Sequence, residues 1–480
     1  MSYLEGRRIE VTPNHIVDIT CGVPQGSVLG PSLWNILYDG VLKQDMPLGV
    51  KLVAFADDLA VAAIGRNEED LMRNTNQALA RVASWLEENE LKLAAEKTEA
   101  VLLVGRRRPR AVQFQIMGAK IEPKKVIKYL GIYIDQACTF SDHLAKTAAK
   151  AEGTISALSR IMPNIGGPGS NRRKLLAGVA TSMLLYGCEV WHTALATKKN
   201  VVVLESTHRR ILARVACAYR TVSTEAAQVI TGVPPARLLV EERVKQRCTG
   251  MSKSMARSHT LNLWQENWQQ TTKARWTRRL IPDIEKWVKR KHGEIDYHLT
   301  QALTGHGCFG TYLCRIGKIL NASCWYCGEE DTPSHTLFSC SYFDPLRMDV
   351  MKKILVWPEE SNLIEEMLES PEKWDVLHTF VKKIMTQKEK KERELEAGGV
   401  RSGQVRSGQV RSGPRVKFGW SSIGRLPRWR IGESLPDMGG TGEIKYPGRT
   451  KTSQDHTVTP DVVWKRGPRG FGAARFREPL

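Results

Sequence analysis

The first part of the chain shows short apolar runs separated by turns, and one long amphipathic segment. Residues 51–56 and 59–64 are apolar with only Asp57 and Asp58 between them, which predicts a β-hairpin. After Asn67 an acidic turn is followed by apolar residues at helical spacing. We therefore predict a helix that is capped by Asn67 and packs one face on a sheet.

Further strands are predicted on both sides of this unit. Residues 8–11 and 16–21 flank a turn and favour a hairpin, and residues 128–135 form another alternating pair around a glycine. The loop at 22–31 is rich in glycine and proline, so it should expose backbone amides, and Pro31 predicts the start of a helix.

Residues 141–260 are rich in alanine, leucine and arginine and show helical spacing. Strands followed by a long run of helices predict an α+β fold. The predicted helix at 201–218 carries Arg209, Arg210 and Arg214 on its polar side, and Arg220 follows just after it. They could contact phosphates, or they could form an ordinary solvated face. Residues 387–396 alternate Lys with Glu, which is typical of an exposed helix end.

Composition narrows the class of protein. The chain has 71 Lys+Arg against 51 Asp+Glu, a net charge of +20, which favours a polyanionic partner such as nucleic acid. No apolar run reaches the length of a membrane span, and no secretory signal is recognisable, so no membrane role is expected. Most of the ten cysteines stand singly, which excludes a disulfide scaffold and predicts an intracellular protein.

Half of the excess charge lies in the last 80 residues. Residues 401–480 hold 16 Lys+Arg and 6 Asp+Glu, with many glycines and prolines, and we predict that they are disordered. This tail is either a loose RNA-binding arm or an extension without a selected function.

A second basic cluster, 106–110, separates strand-like residues 99–104 and 111–117. It could bind phosphate, act as a nuclear import signal or be a solvated turn.

Two motifs carry candidate metal chemistry. The adjacent carboxylates of Asp57 and Asp58 repel one another, and a divalent cation such as Mg²⁺ would relieve that repulsion. An ordinary aspartate turn is the alternative.

The second motif contains three thiols and one imidazole at the spacing of a structural zinc site. Reduced core cysteines are the alternative. Its members are Cys324, Cys327, His335 and Cys340.

Aromatic side chains near these motifs also allow two interpretations. Trp264, Trp268, Trp276 and Trp287 lie among basic residues. They could stack on single-stranded bases, but we favour a small hydrophobic core. Trp325, Tyr326 and Phe338, inside the Cys/His motif, could likewise contact nucleic acid or pack within the motif.

Four motifs in order resemble the palm of the reverse transcriptases of non-LTR (LINE-type) retrotransposons. They are Pro24-Gln25-Gly26, Phe55-Ala56-Asp57-Asp58, Lys97-Thr98 and Tyr129-Leu130-Gly131. The Cys/His motif and the run 304–309 before it resemble the end of the reading frame in arthropod elements that insert into ribosomal and telomeric repeats.

The resemblance implies an RNA-directed DNA polymerase that copies RNA by two-metal nucleotidyl transfer. It implies Asp57 and Asp58 as Mg²⁺ ligands and Lys97 as the cation near the departing pyrophosphate, where a solvated strand-end lysine is the alternative. The nucleotide and template pocket would be lined by Gln25, Gly26 and Phe55. The primer end would contact Tyr129, Leu130 and Gly131. The expected partners are an RNA template, a DNA primer and deoxynucleoside triphosphates.

The resemblance also exposes a departure. The family's site uses a further aspartate on an earlier palm strand, and Asp18, the sole aspartate before the Pro-Gln-Gly loop, lacks the surrounding motif. We therefore expect that the fingers and first catalytic strand are missing and that the chain alone is impaired. A catalytically inactive nucleic-acid-binding remnant is the alternative. The expected location is intracellular, with action in the nucleus, and the oligomeric state stays open.

The resemblance divides the chain into six segments. They are a partial palm with an antiparallel sheet and packed helices (1–140), a helical thumb and post-thumb region (141–260), a helical linker (261–320), a zinc knuckle (321–347), C-terminal helices (348–396) and a disordered basic tail (397–480).

Overall fold

The computed structural model describes residues 3, 5–12, 15–19, 22–24, 26–103, 112–399 and 457–465. For 398–399 and 457–465 it describes the backbone. Gln25, the basic cluster at 106–110 and most of the tail lie outside the described residues. None of the helices in the described ranges is long and apolar enough to cross a membrane.

The described part of the first 140 residues contains four antiparallel hairpins and two α-helices. The strands are β1 (Arg7–Thr12), β2 (His15–Ile19), β3 (Val50–Phe55), β4 (Asp58–Ala63), β5 (Lys92–Leu93), β6 (Glu99–Leu103), β7 (Phe114–Ile116), β8 (Ala119–Ile121), β9 (Val126–Tyr129) and β10 (Ile132–Asp135). The helices are α1 (Gly30–Leu42) and α2 (Glu68–Glu88). The hairpins pair β1 with β2, β3 with β4, β7 with β8 and β9 with β10.

Both helices begin where the sequence predicts. Pro31 lies in the first turn of α1, where its missing N–H is not needed. The side chain of Asn67 accepts a hydrogen bond from the Asp70 backbone N–H at 2.7 Å and caps α2. One face of α2 is buried through Leu71, Ala78, Leu79 and Val82 against the sheet. The helix therefore packs against the β3–β4 hairpin.

The main sheet contains a strand from the far end of the chain. This strand, β11 (Thr457–Lys465), lies between β4 and β6 and is parallel to both. The sheet is therefore mixed, and the prediction of an antiparallel sheet is corrected. Because β11 is parallel to both neighbours, β4 and β6 run in the same direction, and the crossover between them contains α2.

The strand β11 also differs from the predicted disorder of 397–480. Residues 397–399 belong to the last helix, and Thr457–Lys465 form backbone ladders. Val458, Val462, Val463 and Trp464 are residue types that favour strands. The prediction of disorder rested instead on the high Gly and Pro content of the whole tail. Residues 400–456 and 466–480 lie outside the described residues, so the prediction stands untested for them.

Helices dominate residues 141–315 and 333–399, whereas residues 316–332 contain no helix. The helices are α3 (Ser141–Leu158), α4 (Ser170–Leu184), α5 (Cys188–Trp191), α6 (Lys198–Val215), α7 (Thr224–Thr231), α8 (Ala236–Cys248), α9 (Lys253–Gln270), α10 (Arg275–Leu280), α11 (Ile284–Lys289), α12 (Tyr297–Thr304), α13 (Gly310–Arg315), α14 (Asp344–Ile354), α15 (Leu363–Glu369) and α16 (Pro371–Gly399). A π-helical turn, His335–Ser339, precedes α14.

Two large hydrophobic cores organise the described helices, besides a small cluster between α6 and α7. The first is built mainly from α3, α4, α6 and α8. The second runs from Ala216 to Met385 and includes two cysteines of the predicted zinc motif. Because this core crosses residues 260, 320 and 347, the described residues show no break in packing there. The division into thumb, linker and knuckle stays a prediction.

Three of the tryptophans and two residues of the charged segment 387–396 are buried. Trp264, Trp268 and Trp287 are each at most 2% exposed, which agrees with the favoured core interpretation. Lys388 is fully buried and Glu389 is 8% exposed, so the alternating charges at 387–396 do not mark a wholly exposed helix end. The helix turns these two residues toward the core, a direction that charge alternation alone does not reveal.

Candidate functional sites

The two adjacent aspartates lie at the turn of the β3–β4 hairpin. Phe55 pairs with Asp58 in the antiparallel register, so Ala56 and Asp57 form the turn. Ala56 has φ +53°, the left-handed conformation that such a tight turn requires. Asp57 is exposed and Asp58 is half-buried. The hairpin therefore presents two carboxylates at its tip, where an ion or a phosphate-bearing ligand can reach them.

Helix α1 supports this turn. The indole Nε1 of Trp34 donates a hydrogen bond to the Ala56 carbonyl oxygen at 2.9 Å. Tyr38, one helical turn later, stacks on Trp34 with ring centroids 5.0 Å apart. Burial, reinforced by the charges of Asp57 and Asp58, raises the pKa of the Tyr38 hydroxyl. Sequence reasoning missed both aromatics, although their i, i+4 spacing beside the Pro-Gln-Gly loop could have revealed them.

The Pro-Gln-Gly loop leads directly into α1. Gly26 is exposed and has φ +81°, and the Ser27 N–H donates to the Pro24 carbonyl at 3.2 Å. Gln25, predicted to line the nucleotide pocket, lies outside the described residues. Through Trp34, the helix after this loop contacts the aspartate turn. The structure thus connects the helix that follows the first motif with the turn that carries the second motif.

The other two motifs lie farther along the chain. Lys97 is exposed in a short turn, Ala95–Lys97, just before β6. Phe55, beside the aspartates, is 64% exposed. Both are accessible, but no contact in the described residues gives Lys97 or Phe55 a catalytic geometry. Their roles stay predictions.

The Tyr-Leu-Gly hairpin joins the sheet to the first helical core. Leu130 and Gly131 form the turn between β9 and β10, with φ of +43° and +82°. The Tyr186 hydroxyl donates to the Leu130 carbonyl oxygen at 3.0 Å. A Cβ added at Gly131 would lie 3.0 Å from the Tyr186 ring. The turn is thus held by Tyr186, which sequence reasoning did not connect with it.

The arginines of α6 are largely engaged within the protein. Arg209 donates through Nε to the Val222 carbonyl at 3.2 Å, and Arg210 forms an ion pair with Glu152 at 2.5 Å. Both contacts tie α6 to neighbouring segments. The geometry supports a structural role for these two side chains, while their use for phosphates stays a prediction.

The predicted zinc ligands converge. The candidate ligand atoms of Cys324, Cys327, His335 and Cys340 all lie within 4.8 Å of one another. Cys324 Sγ and Cys340 Sγ are 3.9 Å apart, Cys340 Sγ and Cys327 Sγ are 3.8 Å apart, and Cys327 Sγ is 3.1 Å from His335 Nε2. A tetrahedral zinc with bonds of about 2.3 Å separates two thiolates by about 3.8 Å. The arrangement fits a tetrahedral metal.

The protonation of this set follows from its surroundings. Burial, together with the neighbouring thiols, raises the pKa of Cys340 to about 12, and burial lowers the pKa of His335. Without a cation the Cys340 thiol and the His335 imidazole thus favour their neutral forms. A bound dication reverses this preference for the thiols and displaces their protons.

A buried ion pair lies beneath the cysteines. Lys388 Nζ is 2.5 Å from Asp331 Oδ2, and both side chains are fully buried. Asp331 also accepts hydrogen bonds from the Thr336 hydroxyl at 2.6 Å and from the Gly310 backbone N–H at 2.7 Å. This pair ties α16 to the Cys/His motif. Sequence reasoning missed it because the partners are far apart in the chain.

The Cys/His set is the one group of three or more potential metal ligands among the described side chains. No third potential ligand among the described side chains is therefore grouped with Asp57 and Asp58.

The aromatic side chains near the cysteines contact the second core. Trp325, Tyr326 and Phe338 are partly buried and pack against it.

Comparisons with known proteins agree with the motif order. Residues 2–134 match the family described as reverse transcriptase (RNA-dependent DNA polymerase). The chain is 27% identical over 355 residues to a retrovirus-related Pol polyprotein from type-1 retrotransposable element R1 2 of Nasonia vitripennis, covering 68% of this chain and 86% of that protein. No solved structure matches.

Two longer relatives extend the similarity. A Pol polyprotein from element R1 of Bradysia coprophila is 27% identical over 377 residues, covering 72% of this chain and 37% of the relative. A putative 115 kDa protein in element R1DM of Drosophila melanogaster is 28% identical over 422 residues, covering 81% of this chain and 40% of the relative. The chain thus spans less than half the length of these two proteins.

Proposed function

We infer that this chain, which carries a LINE-type (non-LTR) reverse transcriptase domain, takes part in RNA-directed DNA synthesis. The observation that carries the proposal is the exposed Asp57-Asp58 turn at the tip of a hairpin inside the matched domain. We propose an RNA template, a DNA primer and deoxynucleoside triphosphates as its partners.

The aspartate turn fits Mg²⁺ in chemical type, because such ions prefer carboxylate oxygens. Asp57 and Asp58 would hold the ion, and bound divalent ions stabilise the attacking and leaving oxygens in nucleotidyl transfer. Trp34 would fix the turn by its hydrogen bond to Ala56. Gly26, in the loop before α1, would leave room for the template base and the nucleotide.

Two carboxylates at one turn provide less than the reaction uses. Two-metal sites draw their ligands from separate strands, and the described side chains group no third carboxylate with Asp57 and Asp58. We therefore propose that synthesis by this chain alone is slow. Nucleic-acid binding without synthesis is the competing function.

Primer extension tests the proposal directly. The full chain is given an RNA template, an annealed DNA primer, deoxynucleotides and Mg²⁺, and the Asp57→Asn variant is compared with Asp375→Asn, an exposed aspartate on α16. We expect extension that Asp57→Asn reduces at least 100-fold and Asp375→Asn leaves intact. Template binding without any extension would favour the competing function.

We propose further that the Cys/His motif is a structural zinc site. The supporting observation is the spacing of its sulfur atoms, 3.8–3.9 Å, which suits tetrahedral coordination. The motif is also part of the second core, since Cys324 and Cys340 are buried there. A bound metal would thus connect residues that the core already holds close together.

Metal analysis tests the zinc proposal. We expect about one zinc per purified chain, lost in Cys324→Ser and kept in Cys248→Ser, which changes an exposed cysteine at the end of α8. Chelation should lower the thermal midpoint of the native chain and of Cys248→Ser. A metal-free native chain with the same midpoint would show that these are reduced core cysteines.

A further inference from the structure

The candidate zinc ligands His335 and Cys340 are joined by an uncommon type of helical turn. Residues His335–Ser339 form a π-helical turn, closed by a hydrogen bond from the Cys340 backbone N–H to the His335 carbonyl oxygen at 2.8 Å. In an α-helix, which advances about 100° per residue, side chains five positions apart point about 140° away from each other. The wider π-helical turn brings such side chains closer to one side. The turn therefore lets both ligands face the other two cysteines of the motif.

Arg347, on α14, holds the end of this π-helical turn. Its side chain is 1% exposed, and it donates from Nη1 to the Leu337 carbonyl oxygen at 3.2 Å and from Nη2 to the Cys340 carbonyl oxygen. A guanidinium group presents its N–H donors in fixed directions in one plane, so it fixes the two carbonyls relative to each other. Arg347 thus sets the position of the Cys340 backbone relative to the turn that begins at His335.

The Cys/His motif is negatively charged once a metal is bound. Zinc with three thiolates and a neutral imidazole carries a single net negative charge. Cys324 and Cys340 are buried, so this charge lies away from water. A buried charge is costly unless an opposite charge lies nearby. A cation close to the motif therefore favours the metal-bound state.

Arg347 is placed to offset this charge. Lys388 also lies beneath the motif, but Asp331, a carboxylate that is equally buried, neutralises it. The carboxylate partner of Arg347 is Asp344 at 2.7 Å, and the side chain of Asp344 is 49% exposed. Water screens an exposed charge more strongly than a buried one. The positive charge of Arg347 is therefore less fully cancelled than that of Lys388.

We propose that Arg347 is a positioning residue of the Cys/His site, which aligns His335 with Cys340 through the π-helical turn and offsets the charge of the metal-bound thiolates. The proposal rests on the zinc site proposed above. Arg347 acts through the carbonyl groups of Leu337 and Cys340 rather than as a ligand. Removal of groups that orient metal ligands in this way typically costs about 10–100-fold in metal affinity.

The zinc affinity of the full chain, measured by competition with a chromophoric chelator, tests the proposal. Arg347→Met should bind zinc about 10–100-fold more weakly than the native chain. The matched control is Arg173→Met, which removes another buried arginine that donates to backbone carbonyls, at Met162 and Pro168, and it should keep the native affinity. Native affinity in Arg347→Met would overturn the proposal and leave the zinc site intact. A native chain that binds no zinc would instead refute the zinc site itself, and the positioning role with it.

A conservative variant gives the decision if Arg347→Met does not fold. Arg347→Lys keeps the positive charge but lacks the planar group that holds both carbonyls, so it should lose less zinc affinity than Arg347→Met. With Co²⁺ in place of zinc, the visible absorption of the tetrahedral thiolate site should change in Arg347→Lys and stay native in Arg173→Lys. Native spectra and native zinc affinities in both lysine variants would refute the positioning role.

Discussion

The buried pair beneath the Cys/His motif makes a sharp quantitative prediction. Lys388→Met keeps much of the side-chain volume but removes the charge that faces Asp331. The carboxylate keeps its bonds from Thr336 and Gly310, but it loses the ammonium group that contacts both of its oxygens at 2.5–2.6 Å. Removing one partner of a fully buried pair costs about 3–5 kcal/mol, so we expect that loss in the free energy of unfolding.

The size of the loss can be separated from general disturbance of the helix. Lys388→Met with Asp331→Asn removes both charges and keeps an acceptor for Gly310, so it should recover most of the loss, ending within about 1–2 kcal/mol of the native chain. Lys353→Met breaks the exposed pair with Asp349 and should cost less than about 1 kcal/mol.

Urea unfolding followed by tryptophan fluorescence measures these values. Trp325 is a suitable reporter because Lys388 Nζ lies 5.3 Å from the centre of its ring. The zinc content of each variant is held equal during the titration. If Lys388→Met and Lys353→Met cost the same, or if the double variant is as unstable as Lys388→Met, the reasoning about the buried charge is wrong.

Three smaller predictions concern other parts of the fold. Asn67→Ala removes the cap of α2 and should cost about 1 kcal/mol in urea unfolding, whereas Asn67→Asp should be nearly neutral. Gly131→Ala places a side chain at φ +82° and should cost about 1–2 kcal/mol, and an unchanged thermal midpoint would contradict this. Burial lowers the pKa of His208 to about 4 from 6.5. The folding stability that depends on its neutral form is therefore complete above pH 6.5 and is lost as pH falls toward 4. Between pH 7 and 4 the native chain should therefore lose about 3 kcal/mol more than His208→Gln, and equal losses would exclude this origin.

Local signals account for much of the first 140 residues. Pro31 and Asn67 mark the starts of two helices, and the apolar runs around Asp57-Asp58 give the hairpin. These features depend on residues a few positions apart. The convergence of Cys324, Cys327, His335 and Cys340 was also predicted, because metal-ligand spacing is a local pattern.

Long-range pairing is where sequence reasoning fell short. Lys388 sits in a run of alternating charges that is typical of a solvated helix, and only its distant partner Asp331 explains its burial. Tyr186 supports a turn far back in the chain at Leu130. The strand β11 needs two partners from the start of the chain, and its proline argues against a strand when read alone. None of these contacts leaves a periodic pattern.

The position of β11 has a consequence for biosynthesis. The sheet begins with strands made early and includes one made about 350 residues after β6, so a ribosome working at about 5–20 residues per second delivers it roughly 20–70 s later. Until then the nascent sheet displays two unpaired strand edges. Such a delay raises the risk of edge-to-edge association between neighbouring nascent chains.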